Sequence, residues 1–163
     1  TAGDPTLYKG RPFVLCSTRR TTPATRLRAL SLVETLGAVA IEMDPHRHDR
    51  VVATISHVPY LLSAALMATA ARQAEQDEGV WALAAGGFRD MTRLAGSDIT
   101  MMSDITSTNT QAIAELLAHF RVQLAVLETM LIARDQDRLA DALRPMREAR
   151  LQWSRHYDER RTS

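Results

Sequence analysis

Cysteine is nearly absent from this chain of 163 residues: Cys16 stands alone, so no internal disulfide can form. A reducing, cytoplasmic setting is the expectation for such a composition. Aromatic residues are sparse at 5%, and net charge is only +1, from 20 Lys and Arg against 19 Asp and Glu. That balance excludes a strong field directed at nucleic acid or an anionic membrane. No apolar run is expected to reach the length of a membrane span. The opening TAGDPTLYKG has neither the basic nor the apolar region of a signal peptide, and no initiator Met, so the chain is expected to be a piece of something longer. There is no GxGxxG, no P-loop, no CxxC pair and no nucleophile elbow. What is present is ordinary globular material, 45% hydrophobic and 24% charged. It excludes a disordered tail, a collagen-like fibre and a disulfide scaffold. Every basic residue except Lys9 is arginine.

The first part reads as α/β. PFVLC (12–16) is a short apolar run of β-favouring residues followed by polar STRRTT. Thr22 caps a helix with Pro23 at its first position, and Leu27, Leu30 and Val33 share one face. Gly37 stops that helix. AVAIEM (38–43) then reads as a second strand, completing one βαβ unit. A unit of this size does not make a stable sheet alone and reads as the edge of a larger one.

After Pro45 everything reads as helix. Residues 49–76 form a long apolar segment, with Pro59 expected to kink it or end its first part. Gly79 precedes a short helix over 80–85. Gly86, Gly87 and Gly96 bracket FRDMTRLA, and Ser97 or Asp98 caps the next segment. From Ser107 a long amphipathic helix carries Ile113, Leu116, Leu117, Phe120, Leu124, Leu127 and Leu131 at helical spacing. A short RDQD turn leads to a last helix over 138–158. The apolar character on both sides of 49–76 predicts burial all round. It points to a helical homodimer whose core comes from 49–76 and 107–133, against a compact monomeric bundle as the alternative.

Four groups of residues bear chemistry, and each has a plain structural reading beside the functional one. His46, His48 and Asp49 in HRHDR resemble a metal-binding run, but the stronger reading is a polar junction between a strand and a helix with Asp49 as a cap, since no further ligand lies at a useful spacing. His57 lies within the apolar ISHVPY, where a buried imidazole needs a partner or a ligand. Pro59 beside it frees a backbone carbonyl and can open a polar pocket. Arg89 and Arg93 are four apart, so on a helix they share a face suited to a carboxylate; ion pairing of Arg89 with Asp90 is the alternative. Arg144, Arg147, Arg150, Arg155, Arg160 and Arg161 on the last helix are offset by Asp141, Glu148, Asp158 and Glu159 and read as a solvated face.

Two segments, taken together, resemble a known family. HDRVVATISHVPYLLSAAL resembles the HD-rivA-xSHLPH-llA-aL segment of prephenate dehydrogenases. GGFRDMTRLAGSD, followed by MMSDI and Asn109, resembles their GGFrDtTRiAsSdp-mWrDI-xxN segment. The resemblance covers residues 7–135 well and the last helix only by length and pattern.

The resemblance implies a two-domain enzyme of tyrosine biosynthesis, which oxidatively decarboxylates prephenate to 4-hydroxyphenylpyruvate with NAD. NADP is the alternative cofactor. Residues 1–43 would be the last part of a Rossmann-type nucleotide-binding domain. Residues 44–163 would be an all-helical dimerisation and substrate-binding domain. The fold class expected is therefore mainly α, with a βαβ remnant in front. The nucleotide fingerprint and the family's catalytic histidine would precede Thr1, so this piece alone would hold no catalytic, cofactor-binding or metal-binding residue and would be inactive. His57 matches the first histidine of SHLPH in the substrate pocket. Tyr60 stands where the second is usual and keeps a hydrogen-bond donor there. Arg93 matches the arginine of TRiA, which holds a carboxylate of prephenate, in its own site or from the partner subunit. Asn109 matches a polar position near the dimer core, and Met102 and Ser103 replace the usual Trp-Arg. The Tyr60 exchange leaves arogenate open as substrate. A different class of function is a non-catalytic helical dimer that binds a small acid or a partner helix.

Overall fold

The computed structural model describes residues 3, 4 and 6–162. The side chains of residues 160–162, and with them Arg160 and Arg161 of the basic face, lie outside the described residues. The chain divides into two compact units, one of Thr1–Pro45 with Val122–Ser163, the other of His46–Arg121.

In the first unit, strand β1 (Pro12–Cys16) pairs in parallel with β2 (Val39–Met43), in register from Pro12 opposite Val39 to Cys16 opposite Met43. Helix α1 (Pro23–Thr35) connects them. Thr22 caps it by accepting from the Thr25 amide at 3.2 Å, and Pro23 takes the first turn, where its missing N–H costs nothing. The helix ends in a Schellman arrangement. Gly37 sits at φ +66°, its N–H donates to Glu34 O at 2.8 Å, and Ala38 N–H reaches back to Val33 O at 3.1 Å. Val33 is buried, but Leu27 on the same face is 62% exposed. Arg26 and Glu42 form a bidentate pair tying α1 to β2, and Arg26 draws the Glu42 carboxyl below the ordinary carboxylate range. Both groups are exposed, so the pair contributes little to stability. The mainly helical architecture behind a single βαβ unit is the fold class expected.

The long apolar segment begins earlier than the sequence predicts. Helix α2 (Pro45–Val52), a π-helical turn (Ala53–His57) and helix α3 (Val58–Ala74) run as one continuous stretch. Proline is compatible with a helix start, so HRHDR lies inside α2 and Asp49 is not a cap. Pro59 does not simply kink the helix. In a regular α-helix its ring would crowd the carbonyl four residues back and leave it without a donor. The π turn ahead of it widens the spiral instead, with Val58 N–H donating to Ala53 O, five residues back.

By length and composition alone, Pro45–Ala74 is long and apolar enough to cross a membrane. That corrects the expectation that no run would reach such a length: the helix continues through Pro59. Nor is the segment buried all round within the chain, since only 17% of its most apolar window is covered. Ile55 is 69% exposed.

Beyond it come α4 (Gly79–Leu83), α5 (Gly86–Thr92), a 3₁₀ turn (Arg93–Gly96) and α6 (Ile99–Thr108). Asp98 caps α6, accepting from the Met101 amide at 2.8 Å. The amphipathic helix predicted from Ser107 is in fact α7 (Thr110–Ile132), because Ser107 still belongs to α6 and the chain breaks at Asn109. Helix α7 ends where Arg134 adopts φ 54°, and α8 (Gln136–Thr162) begins two residues before its predicted start. On α8, Arg150 lies 4.8 Å above the Trp153 ring and Trp153 stacks on Tyr157 at 5.1 Å.

The core of the second unit is small. Ala53, Val58 and Ile113 are its buried centre, with Leu61, Leu62, Ala112, Leu116 and Leu117 packed around them. The π turn is thereby clamped between its own helix and the start of α7.

Candidate functional site

The polar centre of this unit is built where the π turn meets Asn109. Neither group could be left unpartnered there, because His57 and Asn109 are each only 9% exposed. The Asn109 amide nitrogen donates to the backbone carbonyl of Asp49 at 2.8 Å and lies 3.2 Å from Nδ1 of His57. Asn109 is available for this because it stands between two helices, as the residue that closes α6. Asp49 uses its side chain separately, its Oδ1 lying 3.1 Å from Nδ1 of His48.

These residues line a cleft of about 370 Å³ bounded by His48, Asp49, Val52, Ser56, His57, Ile105, Thr108 and Asn109. The His57 pKa is lowered from the ordinary value of 6.5, first by burial and then by the neighbouring His48, with Asp49 opposing. The folded chain therefore holds this imidazole neutral. Stability linked to it is full above the ordinary histidine range and declines as pH falls toward the lowered folded value.

The three residues expected in a substrate site do not all meet here. His57 does. Tyr60 is half-buried in the first turn of α3 and Arg93 is exposed at the start of the 3₁₀ turn, and neither lines this cleft. Arg93 is nevertheless carried by a built turn, for Ser63, buried in α3, accepts from the Ala95 amide at 3.0 Å and pins the turn to that helix. Arg89 and Asp90 are paired at 3.0 Å on α5, the plain alternative for that arginine. No ion pair or hydrogen bond engages the Arg93 guanidinium among the described residues. Among those residues no group of three His, Cys, Asp or Glu is placed to hold a metal.

Sequence reasoning missed the bond from Asn109 to the Asp49 carbonyl and the role of Ser63. Ser63 left a faint signal, a hydroxyl inside an otherwise apolar helix. The Asp49 carbonyl left none, because a backbone acceptor is the same at every residue.

Comparison with known proteins gives a consistent result. The family model described as prephenate dehydrogenase, dimerization domain, matches residues 44–145. The cyclohexadienyl dehydrogenase of Zymomonas mobilis is 28% identical over 160 residues, covering 98% of this chain and 55% of that protein. The prephenate dehydrogenase of Lactococcus lactis is 31% identical over 134 residues, covering 82% of this chain and 36% of that protein. Among solved structures, Synechocystis arogenate dehydrogenase superposes with a TM-score of 0.80 at 30% identity, over 91% of this chain and 54% of that one. Prephenate dehydrogenase from A. aeolicus, in complex with hydroxyphenyl propionate and NAD+, gives 0.84 at 26% identity, over 90% and 51%. The chain thus spans about half, or less, of the length of these relatives. With a buried histidine and asparagine at the centre of the matched region, and that region covering most of its helices, the chain belongs to the prephenate dehydrogenase family through its dimerization domain.

Proposed function

We propose that this chain supplies the substrate-binding and dimerisation half of an oxidoreductase that acts on prephenate. Residues 44–163 would form that domain and residues 1–43 would belong with the nucleotide-binding part. The observation that carries this reading is His57, buried against Asn109 on a polar cleft, within the matched region. Prephenate bears two carboxylates, a keto group and a hydroxyl. His57 and Tyr60 would hold its oxygens, and Arg93 would pair with a carboxylate. Arogenate, named for the Synechocystis relative, is the second candidate substrate, left open by the exchange at Tyr60. A cytoplasmic setting fits such biosynthetic chemistry.

NAD is bound in the A. aeolicus relative. The turn from β1 to α1 of this chain does not fit a dinucleotide. The turn from β1 to α1 is STRRTT, without a glycine to let a pyrophosphate approach the backbone, and its Thr18 and Thr21 hydroxyls are engaged with each other at 3.3 Å. Calorimetric titration of the chain should therefore show binding of prephenate and none of NAD at micromolar concentration, and no dehydrogenase activity. A micromolar NAD constant, or heat from neither arogenate nor prephenate, overturns this reading.

The dimer rests on what the single chain leaves uncovered. Among the described residues only Val33, Ala53, Val58, Met102 and Ile113 are buried hydrophobics, while Ile55, Leu66, Met67, Ile99 and Met101 stand exposed. An obligate interface between two copies should bury more than about 2,000 Å². Sedimentation at micromolar concentration should give twice the chain mass; a monomer would remove the dimer from the proposal.

A further inference from the structure

The orientation of the Asn109 amide is fixed by chemistry. A carboxamide presents two N–H donors on one side and an acceptor oxygen on the other. The group 2.8 Å from the Asp49 carbonyl must be the nitrogen, since two oxygens would repel there. The same nitrogen faces Nδ1 of His57 at 3.2 Å. It has protons to give and no lone pair to offer, so Nδ1 must be the acceptor. A neutral imidazole with an accepting Nδ1 carries its one proton on Nε2.

Among the described residues nothing partners Nε2, and no fully buried side-chain nitrogen or oxygen lacks a partner. Nε2 is thus not sealed in the core, and its ring lines the cleft. We propose that Asn109 is a positioning residue that locks His57 in the Nε2–H form, so that the ring offers the cleft a single N–H donor. The groups that bear on this ring are Asn109, His48 and Asp49. Adding a proton to Nδ1 would set one N–H against another, so the lock also opposes protonation.

The ligand class follows. An Nε2–H donor recognises an oxygen acceptor, a carboxylate, a keto oxygen or a hydroxyl lone pair. It cannot bind a metal ion through Nε2, whose lone pair is in the ring π system once the proton is there. The identity of the acid depends on the function proposed above; the tautomer does not.

The test is nitrogen NMR of the chain labelled at its five histidines, with His57 assigned by its loss in His57→Gln. The expected spectrum at neutral pH has two well-separated ring nitrogens for His57, Nδ1 in the unprotonated range and Nε2 in the protonated range. Asn109→Ala should move both toward the average of a free imidazole. Asn109→Asp, which replaces the donor by an acceptor, should move the proton to Nδ1 and exchange the two positions. A wild-type spectrum with Nδ1 protonated overturns the proposal, as does an Asn109→Ala spectrum identical to wild type. If Asn109→Asp does not fold, the other two spectra decide. Adding prephenate separates this from the functional reading. A shift at Nε2 supports both, whereas a locked tautomer that ignores prephenate supports the role of Asn109 and removes His57 from the substrate site.

Discussion

Replacing Arg93 by alanine is expected to raise the KM for prephenate of the complete enzyme by roughly ten- to a hundredfold, taking about 1.4 kcal/mol per tenfold. The magnitude follows from a charge-assisted bond to a carboxylate, on the order of 1.5–3 kcal/mol. The structure sharpens the expectation. Arg89 already has Asp90, but Arg93 has no partner among the described residues and sits on a turn anchored by Ser63. A guanidinium without a structural partner has little stability to lose, so the melting temperature should barely move. NAD affinity should also hold, because the proposal keeps the nucleotide off this half. Measuring all three on one variant discriminates. A large stability loss with KM unchanged would make Arg93 a structural residue and take it out of the site.

The second large effect is on stability. Ile113 is 5% exposed, and its side chain fills the space between the π turn and the first turn of α7, against Ala53 and Val58. Ile113→Ala should cost about 2–5 kcal/mol, the range for removing a large aliphatic side chain and leaving a cavity. Urea unfolding should show a lower midpoint with an unchanged slope. A loss below about 1 kcal/mol would mean that the site relaxes freely. Then the π turn is held by something other than this packing.

The α/β part was legible nearly to the residue because its punctuation is local. A threonine before a proline starts α1, and a glycine at positive φ stops it. The helical part was legible in its periodicity but not in its joints. The break at Asn109 carries neither glycine nor proline. The hydroxyls of Thr106, Ser107, Thr108 and Thr110 bond back to carbonyls three and four residues earlier. Helical continuity around the break thus looks complete in the pattern while Asn109 itself leaves the spiral. Helix α2 starts four residues ahead of the expected Asp49, because a polar run such as HRHDR forms the first turns of a helix as readily as a junction. Of the site, His57 showed itself as a lone imidazole among apolar neighbours. Asn109 came only with the family likeness. Its hold on the Asp49 carbonyl joins residues 60 positions apart and leaves no trace in either local pattern.

The five-residue π turn also shapes how this segment tolerates changes in length. A π turn is an α-helical turn with one residue too many. Deleting a single residue within Ala53–His57 would return the segment to α-helical spacing. The wide turn takes up its extra residue within one turn, so α3 would keep nearly the same rotation and Ser63 its reach to the Ala95 amide. The loss would be local: the ring of Pro59 would crowd the carbonyl four residues back, at a cost of about 3 kcal/mol. The wide turn thus works as a seat for a proline in mid-helix, and one-residue deletions here should be accepted only when Pro59 is replaced as well.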